Sequence, residues 1–580
     1  MRSILVPHYA GLFFIHETGL FSLTILNYMS ISNAAIADIF NLLSKLMDIH
    51  QENSFKSKSY SSAAFAIDKL SESLCTLDKN QIPLLNGIGV STAGKIIEIL
   101  NTGKLVLLEE LISKTPAGVL DMLQIKGLGP KKISTIWKEM GIESVGELLY
   151  ACQENRLTLF KGFGEKTQKN VADAIEFIMR HQGHFLFASV ETYVHQIQAV
   201  LTGKFPESYI MVTGEFARQM PTLEKIEWLT SIQKDTLVEW LKSQGFDITE
   251  TAADSLLANN REGIPLKFNI VSAAEFMPAL FRQNCSEEFL EAFSKQYPNA
   301  ISNISKEEDA FLNAGISVLP VFLRESAKQL TLSDEFITNI VTPGDIRGII
   351  HSHSNWSDGS NTLEEMVRAC IAKGYEYLVI SDHSKTAFYA NGLSEEKVRA
   401  QHQQIDELNH KYAPFRIFKS IESDILNDGA LDYPDYILKT FDLVIASVHS
   451  NLKMSEEKAM QRLIKAIENP FTTILGHPTG RLLLSRNGYP LDHEKIIDAC
   501  VANNVVIEIN AHPRRLDLDW KWIGRAQEKG AILSINPDAH HVDGFDDVRY
   551  GVLAAQKGGL QKQNNLSSWS LEKLEKHLQR

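Results

Sequence analysis

Between Ile349 and Gly359 the chain reads IIHSHSNWSDG, with His351 and His353 one residue apart and Asp358 five residues later. All three are metal-ligand types, yet a lone HxH is common enough in polar loops to mean nothing. The pattern gains weight because it recurs downstream. His383 ends YEYLVISDH, Glu422 lies in RIFKSIESD, His449 in LVIASVHS, His477 in TTILGHP, and Asp538 and His540 in AILSINPDAH. Brought into one pocket, six imidazoles and three carboxylates would either repel or shift one another's pKa values strongly. Divalent cations resolve that conflict, and a His/carboxylate set without thiolate suits zinc, manganese or iron. Nine ligands exceed what one ion takes, so two or three ions are implied, with Glu422 a candidate bridge. Clustered cations lower the pKa of water and clamp attacking and leaving oxygens, the logic of phosphoester hydrolysis. Arginines in RLLLSR (Arg481 to Arg486) and in HPRRLD, Arg514 among them, suit phosphate by charge and shape, although any one of them alone reads equally as a surface residue.

The elements carrying these residues alternate. Seven apolar runs of strand length, from IRGIIHSH to AILSINPDAH, are separated by helical stretches such as NTLEEMVRACIAKG and EKIIDACVANN. Near-continuous apolar strands with helical crossovers predict a parallel sheet, most simply a closed or nearly closed α/β barrel. In such a barrel the C-terminal strand ends share one rim, so ligands scattered along the sequence converge.

The first part of the chain has a different rhythm. Apolar residues recur at helical spacing in Ala34–Ile49 and Ser61–Leu74. Three Gly-hydrophobic-Gly units follow, Gly87–Gly89, Gly127–Gly129 and Gly162–Gly164, each after an apolar turn and before a helix, as internal repeats. Residues 183–335 mix strand candidates (YIMVTGEF, PLKFNIVSA) with helices, and the turn-rich stretch Thr331–Asp345 reads as an interdomain linker.

A formal net charge of −13 excludes a nucleic-acid-binding polycation, so any DNA contact must be local. Residues 81–180 escape the acidic bias, with 12 Lys/Arg against 11 Asp/Glu. Five cysteines without a CxxC pair favour a reducing compartment over a disulfide framework. His8, His16 and Glu17 interrupt the apolar first 28 residues before a membrane span is reached. Met29 is the expected start, since an ordinary helical pattern begins after it, and the expected location is cytoplasmic.

With these motifs in view, residues 345–560 resemble a PHP (polymerase and histidinol phosphatase) domain, through HSHSNWSDGS, GYEYLVISDHS, IESDILNDG, ASVHS, ILGHPTGRLL, IEINAHPRRLDL and DAH. The resemblance implies one ion on His351, His353, Glu422 and Asp538, a second on Glu422, His449 and His477, and a third on Asp358, His383 and His540. The Gly-x-Gly units resemble helix-hairpin-helix motifs, in which glycines let the backbone approach a phosphate and helix N-termini donate to it. Lys131, Lys132, Lys161 and Lys166 would add cationic contacts, giving sequence-independent DNA binding. The whole order is similar to bacterial family X DNA polymerases. That implies a helical DNA-binding domain over 29–110 with the first hairpin, further hairpins over 111–182, and an α+β nucleotidyltransferase-like palm and thumb over 183–335. A linker at 336–344 and a seven-stranded PHP barrel over 345–580 complete the expected plan.

The palm departs from the family. Glu215 stands where a serine is expected, Lys225 and Glu227 at the paired aspartates, and Lys267 at the third. The segment LFRQNCSEEF also lacks the family's usual nucleotide-binding motif. Lysines at two of three carboxylate positions would repel the magnesium ions that nucleotidyl transfer needs. The expectation is therefore a DNA-binding, metal-dependent phosphoesterase: a 3′–5′ exonuclease for repair, with 3′-phosphate removal or abasic-site cleavage as variants, and a dead polymerase site. Alternatives are an active gap-filling polymerase, a small-molecule phosphatase of the histidinol-phosphatase type, or a non-catalytic DNA scaffold. Protein partners are not legible, and no membrane association is expected.

Overall fold

The computed structural model describes residues 31–153, 157, 160–180, 183–259, 264–387, 390–484 and 487–579, so the N-terminal extension (1–28) and the proposed start at Met29 lie outside the described residues. The chain divides into two compact units, residues 1–182 and 183–580.

The described part of the first unit is all helical. Asn33–Ile49 starts where the Ser32 hydroxyl accepts from the Ala35 N–H, and it buries Ile36, Phe40, Leu43 and Met47. Asn53 caps Ser54–Asp68 in the same manner. These helices meet through Phe40 and Tyr60, whose ring centroids lie 5.8 Å apart. The remaining helices, among them Val90–Thr102, Pro130–Lys138 and Glu165–Arg180, extend the same apolar core.

The second unit opens with seven short strands. They are β1 (Phe185–Leu186), β2 (Ile210–Thr213), β3 (Thr222–Leu223), β4 (Ile226–Thr230), β5 (Asp247–Thr251), β6 (Ser255–Asn259) and β7 (Pro265–Ile270). Five form one sheet in the order β2-β4-β7-β6-β5, in which only β4 and β7 run parallel. Trp228 and Phe268 stack at 5.2 Å beneath it.

The barrel strands are β8 (Gly348–Ser352), β9 (Tyr377–Ile380), β10 (Arg416–Asp424), β11 (Leu443–Ser447), β12 (Ile474–Leu475), β13 (Val506–Asn510) and β14 (Leu533–Asn536). All neighbours are parallel and follow sequence order. The His353 N–H donates to the Ala539 carbonyl at 2.8 Å and the Ala539 N–H to the His351 carbonyl at 3.3 Å, so the sheet curls until its edges nearly close. Burial on both faces explains why these strands are continuously apolar. The N-terminal end of the barrel is plugged. Leu566, Trp569 and Leu574 pack on Tyr377, Leu443, Ile474 and Val506, and the Tyr377 hydroxyl donates to the Leu566 and Trp569 carbonyls.

Residues 336–344, expected as a linker, are instead packed. Helix Asp334–Thr338 enters the segment, Val341 is fully buried, and its N–H donates to the Leu560 carbonyl at 2.8 Å. Turn-forming residues dominate the composition there, but Val341 packs into the barrel core and Ile340 into the helical cluster around Phe281 and Phe311, which seats the segment on both. No helix among the described residues is long and apolar enough to cross a membrane.

Candidate metal centre

All nine ligand-type residues meet at the C-terminal rim of β8–β14. His351 lies at the end of β8 and His353 just beyond it, and both side chains enter the cluster. His351, His477 and Asp538 adopt positive φ (64°, 21° and 53°), a conformation that costs a non-glycine residue about 1–3 kcal/mol and gathers at functional sites.

Glu422 lies at the centre. Its carboxylate is 3.3 Å from His351 Nε2, 3.0 Å from His383 Nδ1, 3.1 Å from His449 Nε2 and 3.0 Å from His477 Nε2. Asp538 Oδ1 is 3.1 Å from His353 Nε2 and 3.5 Å from His351 Nε2. Toward solvent, Asp358 Oδ2 is 3.6 Å from His383 Nε2 and 3.5 Å from His540 Nε2. Ligand atoms within 4.8 Å of one another form three sets: His353, Asp358, His383 and His540; His351, His353 and Asp538; and His383, Glu422 and His449. The sets overlap the family's partition but differ in that His383 faces both Asp358 and Glu422, whereas His477, whose Nε2 is 3.0 Å from Glu422 and 3.3 Å from His449 Nε2, falls in none of the three.

The donor set fits cations. His351 Nε2 and Glu422 Oε2 are buried with close polar neighbours, at 3.3 Å and 3.0 Å, but without a well-aligned hydrogen bond among the described residues, as suits atoms that turn toward a cation. Burial pulls the imidazoles down, but Glu422 and Asp424 outweigh it at His449 and lift its pKa to about 10. At His540, Asp358 and Asp538 likewise overcome burial and lift it to about 9. His353, buried beside His540 and His383, drops to about 3. Protons and metal therefore compete for the same nitrogens, and binding strengthens as pH rises.

Behind the ligands stand residues that the sequence reading passed over. Glu508 holds His351 Nδ1 at 2.7 Å and accepts the His477 N–H at 3.0 Å and the Asn536 amide at 2.8 Å. Asp424 holds His449 Nδ1 at 2.6 Å, and Asn510 donates to Asp538 at 3.1 Å. Such partners fix the ring orientation and tautomer of a ligating histidine. A signal was present: Glu508 is a charged residue inside the apolar strand VVIEIN, and Asp424 follows Glu422 by two.

The arginines divide. Arg481, expected to hold phosphate, is committed inside the protein: its guanidinium donates to the Arg515 carbonyl at 3.0 Å, to the Leu516 carbonyl and to Asp519. Arg514 is exposed, and Arg486 lies outside the described residues. Its neighbour Arg515 reaches the cluster, with Nε 3.9 Å from Asp538 Oδ2.

Comparison with known proteins agrees with this architecture. Residues 31–105 match a helix-hairpin-helix domain, 119–176 a SAM-like helix-hairpin-helix tandem, and 350–512 a PHP domain. The chain is 31% identical over 575 residues to the DNA polymerase/3′-5′ exonuclease PolX of Bacillus subtilis, covering 94% of this chain and 99% of that protein. The chain belongs to the PolX family. Its barrel region is also 30% identical over 218 residues to a probable phosphatase of Caldanaerobacter subterraneus, covering 34% of this chain and 79% of that protein. A PolX protein that carries a PHP domain is a metal-dependent hydrolase that binds DNA.

The residues expected at the metal positions of the palm lie together at the five-stranded sheet. Glu227 on β4 pairs in register with Lys267 on β7, and its Oε1 is 3.5 Å from Lys267 Nζ and 3.9 Å from Lys225 Nζ. Glu215, at the expected serine, accepts the Glu224 N–H at 3.0 Å. Among the described residues, every cluster suited to a metal lies in the barrel.

The PolX hairpins share one geometry. Gly87, Gly127 and Gly162 have φ of 82°, 91° and 93°, while Ile88, Leu128 and Phe163 between the glycines are buried. Gly89 and Gly129 are helix N-caps. A Cβ at Gly127, Gly129, Gly162 or Gly164 would meet nothing within 4 Å, so internal packing does not demand glycine at 129 or 164, and the backbone there is open to close approach. Lys131, Lys161 and Lys166 are exposed, and Lys132 lies over the Phe163 ring at 5.7 Å. Replacing Gly129 and Gly164 with valine is expected to weaken DNA binding roughly tenfold, the equivalent of about 1.4 kcal/mol of phosphate contact. Hydrolysis of a small chromogenic phosphodiester should stay at the wild-type rate. Equal loss of both would point to misfolding and against a binding role.

Proposed function

We propose that this protein is a DNA-binding, metal-dependent 3′–5′ exonuclease acting in DNA repair in the cytoplasm, and that its palm no longer polymerises. The observation that carries the reading is a contrast within one chain: nine ligand-type side chains converge in the barrel, while lysines flank the lone Glu227 of the palm. His351, His353, Glu422 and Asp538 would hold one manganese, zinc or iron ion, and Glu422, His449 and His477 a second. Asp358, His383 and His540 would hold a third. Bound there, divalent ions supply the charge that activates water and stabilises the leaving oxygen. Glu508 and Asp424 keep the His351 and His449 rings in place, and the buried strand ends exclude bulk water. The bond broken is the P–O3′ bond of the terminal phosphodiester, releasing a 5′-mononucleotide and a shortened strand with a free 3′-hydroxyl. The hairpins and the relic palm deliver DNA ends or gaps without reading sequence.

The resemblance of the barrel to probable phosphatases favours 3′-phosphate removal as a companion activity of the same pocket. Incubating the manganese-loaded protein with 3′- and 5′-labelled single-stranded and gapped DNA tests both. Stepwise loss of mononucleotides from the 3′ end is the expected result. Internal nicking alone, or loss of the terminal phosphate alone, would overturn the exonuclease reading.

A further inference from the structure

We propose that Arg515, on a loop fastened by Arg481, is the residue that grips the substrate phosphate at the mouth of the barrel. The inference rests on the reading of the barrel as a phosphoesterase and adds the group that recognises the anion.

Arg515 lies on the loop after β13, and that loop is pinned from several sides. The Arg481 guanidinium donates to the carbonyls of Arg515 and Leu516 and to the Asp519 carboxylate. Asp517 accepts both the N–H and the hydroxyl of Thr479 at 3.0 Å. Leu516 takes a positive φ of 44°, which turns the chain back on itself. On the far side Pro513 and Leu516 pack against Phe187, Gln219 and Pro221 of the palm region, with a cavity of only about 10 Å³ between them.

The side chain on this rigid loop is left with unused donors. Among the described residues, Asp538, at 3.9 Å, is the one carboxylate within ion-pair distance of Arg515, and the guanidinium makes no hydrogen bond. Its side chain is 23% exposed, against 8% for Asp538. Asp538 already faces His353, His351 and Asn510 and is one of the ligand-type residues. Once cations sit there, its charge is spent and they repel the guanidinium. An arginine held beside a cation cluster with its donors free is suited to an anion that bridges the two, and its planar fork matches two phosphoryl oxygens.

The test compares Arg515→Ala, Arg515→Lys and wild type for metal content, inhibition by inorganic phosphate and hydrolysis of a small chromogenic phosphodiester. The expected result for Arg515→Ala is unchanged metal content, with kcat/KM lower and the phosphate inhibition constant higher by about 10- to 150-fold, the range for one hydrogen bond to a charged group. Added ethylguanidinium should recover part of the loss, and lysine, a charge without the fork, should fall between. Wild-type phosphate inhibition in Arg515→Ala, or loss of metal from it, would overturn the assignment. If wild type itself leaves the phosphodiester intact, the phosphoesterase reading fails. Calorimetric binding of phosphate to the metal-loaded proteins then decides Arg515 separately: weaker binding by Arg515→Ala upholds it, and equal binding overturns it.

Discussion

On a gapped primer–template with all four deoxynucleotides and magnesium or manganese, the primer is expected to shorten and not to grow. Three family carboxylates would bring a formal charge of minus three to gather two cations, whereas Lys225, Glu227 and Lys267 together carry plus one. Glu227 is moreover occupied, since both ammonium groups lie within ion-pair distance of a single oxygen. Magnesium requires near-ideal oxygen coordination, which one engaged carboxylate cannot provide. Because degradation would mask weak synthesis, the assay is run in an Asp538→Ala background. The primer should then stay at its original length. Templated extension in that background, faithful to the template base, would refute the dead palm.

The second large effect is the loss of more than one ion from Glu422→Ala. This carboxylate lies within 3.3 Å of four imidazoles. Elemental analysis of wild type should find at least two divalent ions per chain. Hydrolysis by the variant should fall by more than about 100-fold, because even partners one bond behind a metal ligand cost 10–100-fold. Glu422→Gln keeps the shape and separates ligand loss from misfolding, while Asp358→Ala at the mouth should release one ion at most. A wild-type protein with one ion or none would end the cluster model.

The barrel was legible because each of its strands is buried on both faces, so the apolar runs stand out against helices with one apolar stripe. The rim was legible because polar residues at the ends of such runs have little packing reason to be there. The five-stranded sheet was read in part: β2 and β7 stand out as apolar runs, whereas β4 sets Glu227 beside the buried Trp228 and β5 reads DITET, with little apolar surface to mark it. Glu508 escaped notice since it contacts ring nitrogens across strands, a relation that spacing does not encode. Arg481 shows the converse limit. Composition cannot distinguish an arginine spent on backbone carbonyls from one turned toward phosphate, and only the fold shows that the adjacent loop depends on it.

The plug formed by Leu566, Trp569 and Leu574 makes the barrel a blind cup. With the interior filled by Ile350, Val379, Phe418 and Ile445, the ligand-bearing rim is left as the open end of the barrel, and on the proposed reading substrate and product would both use it.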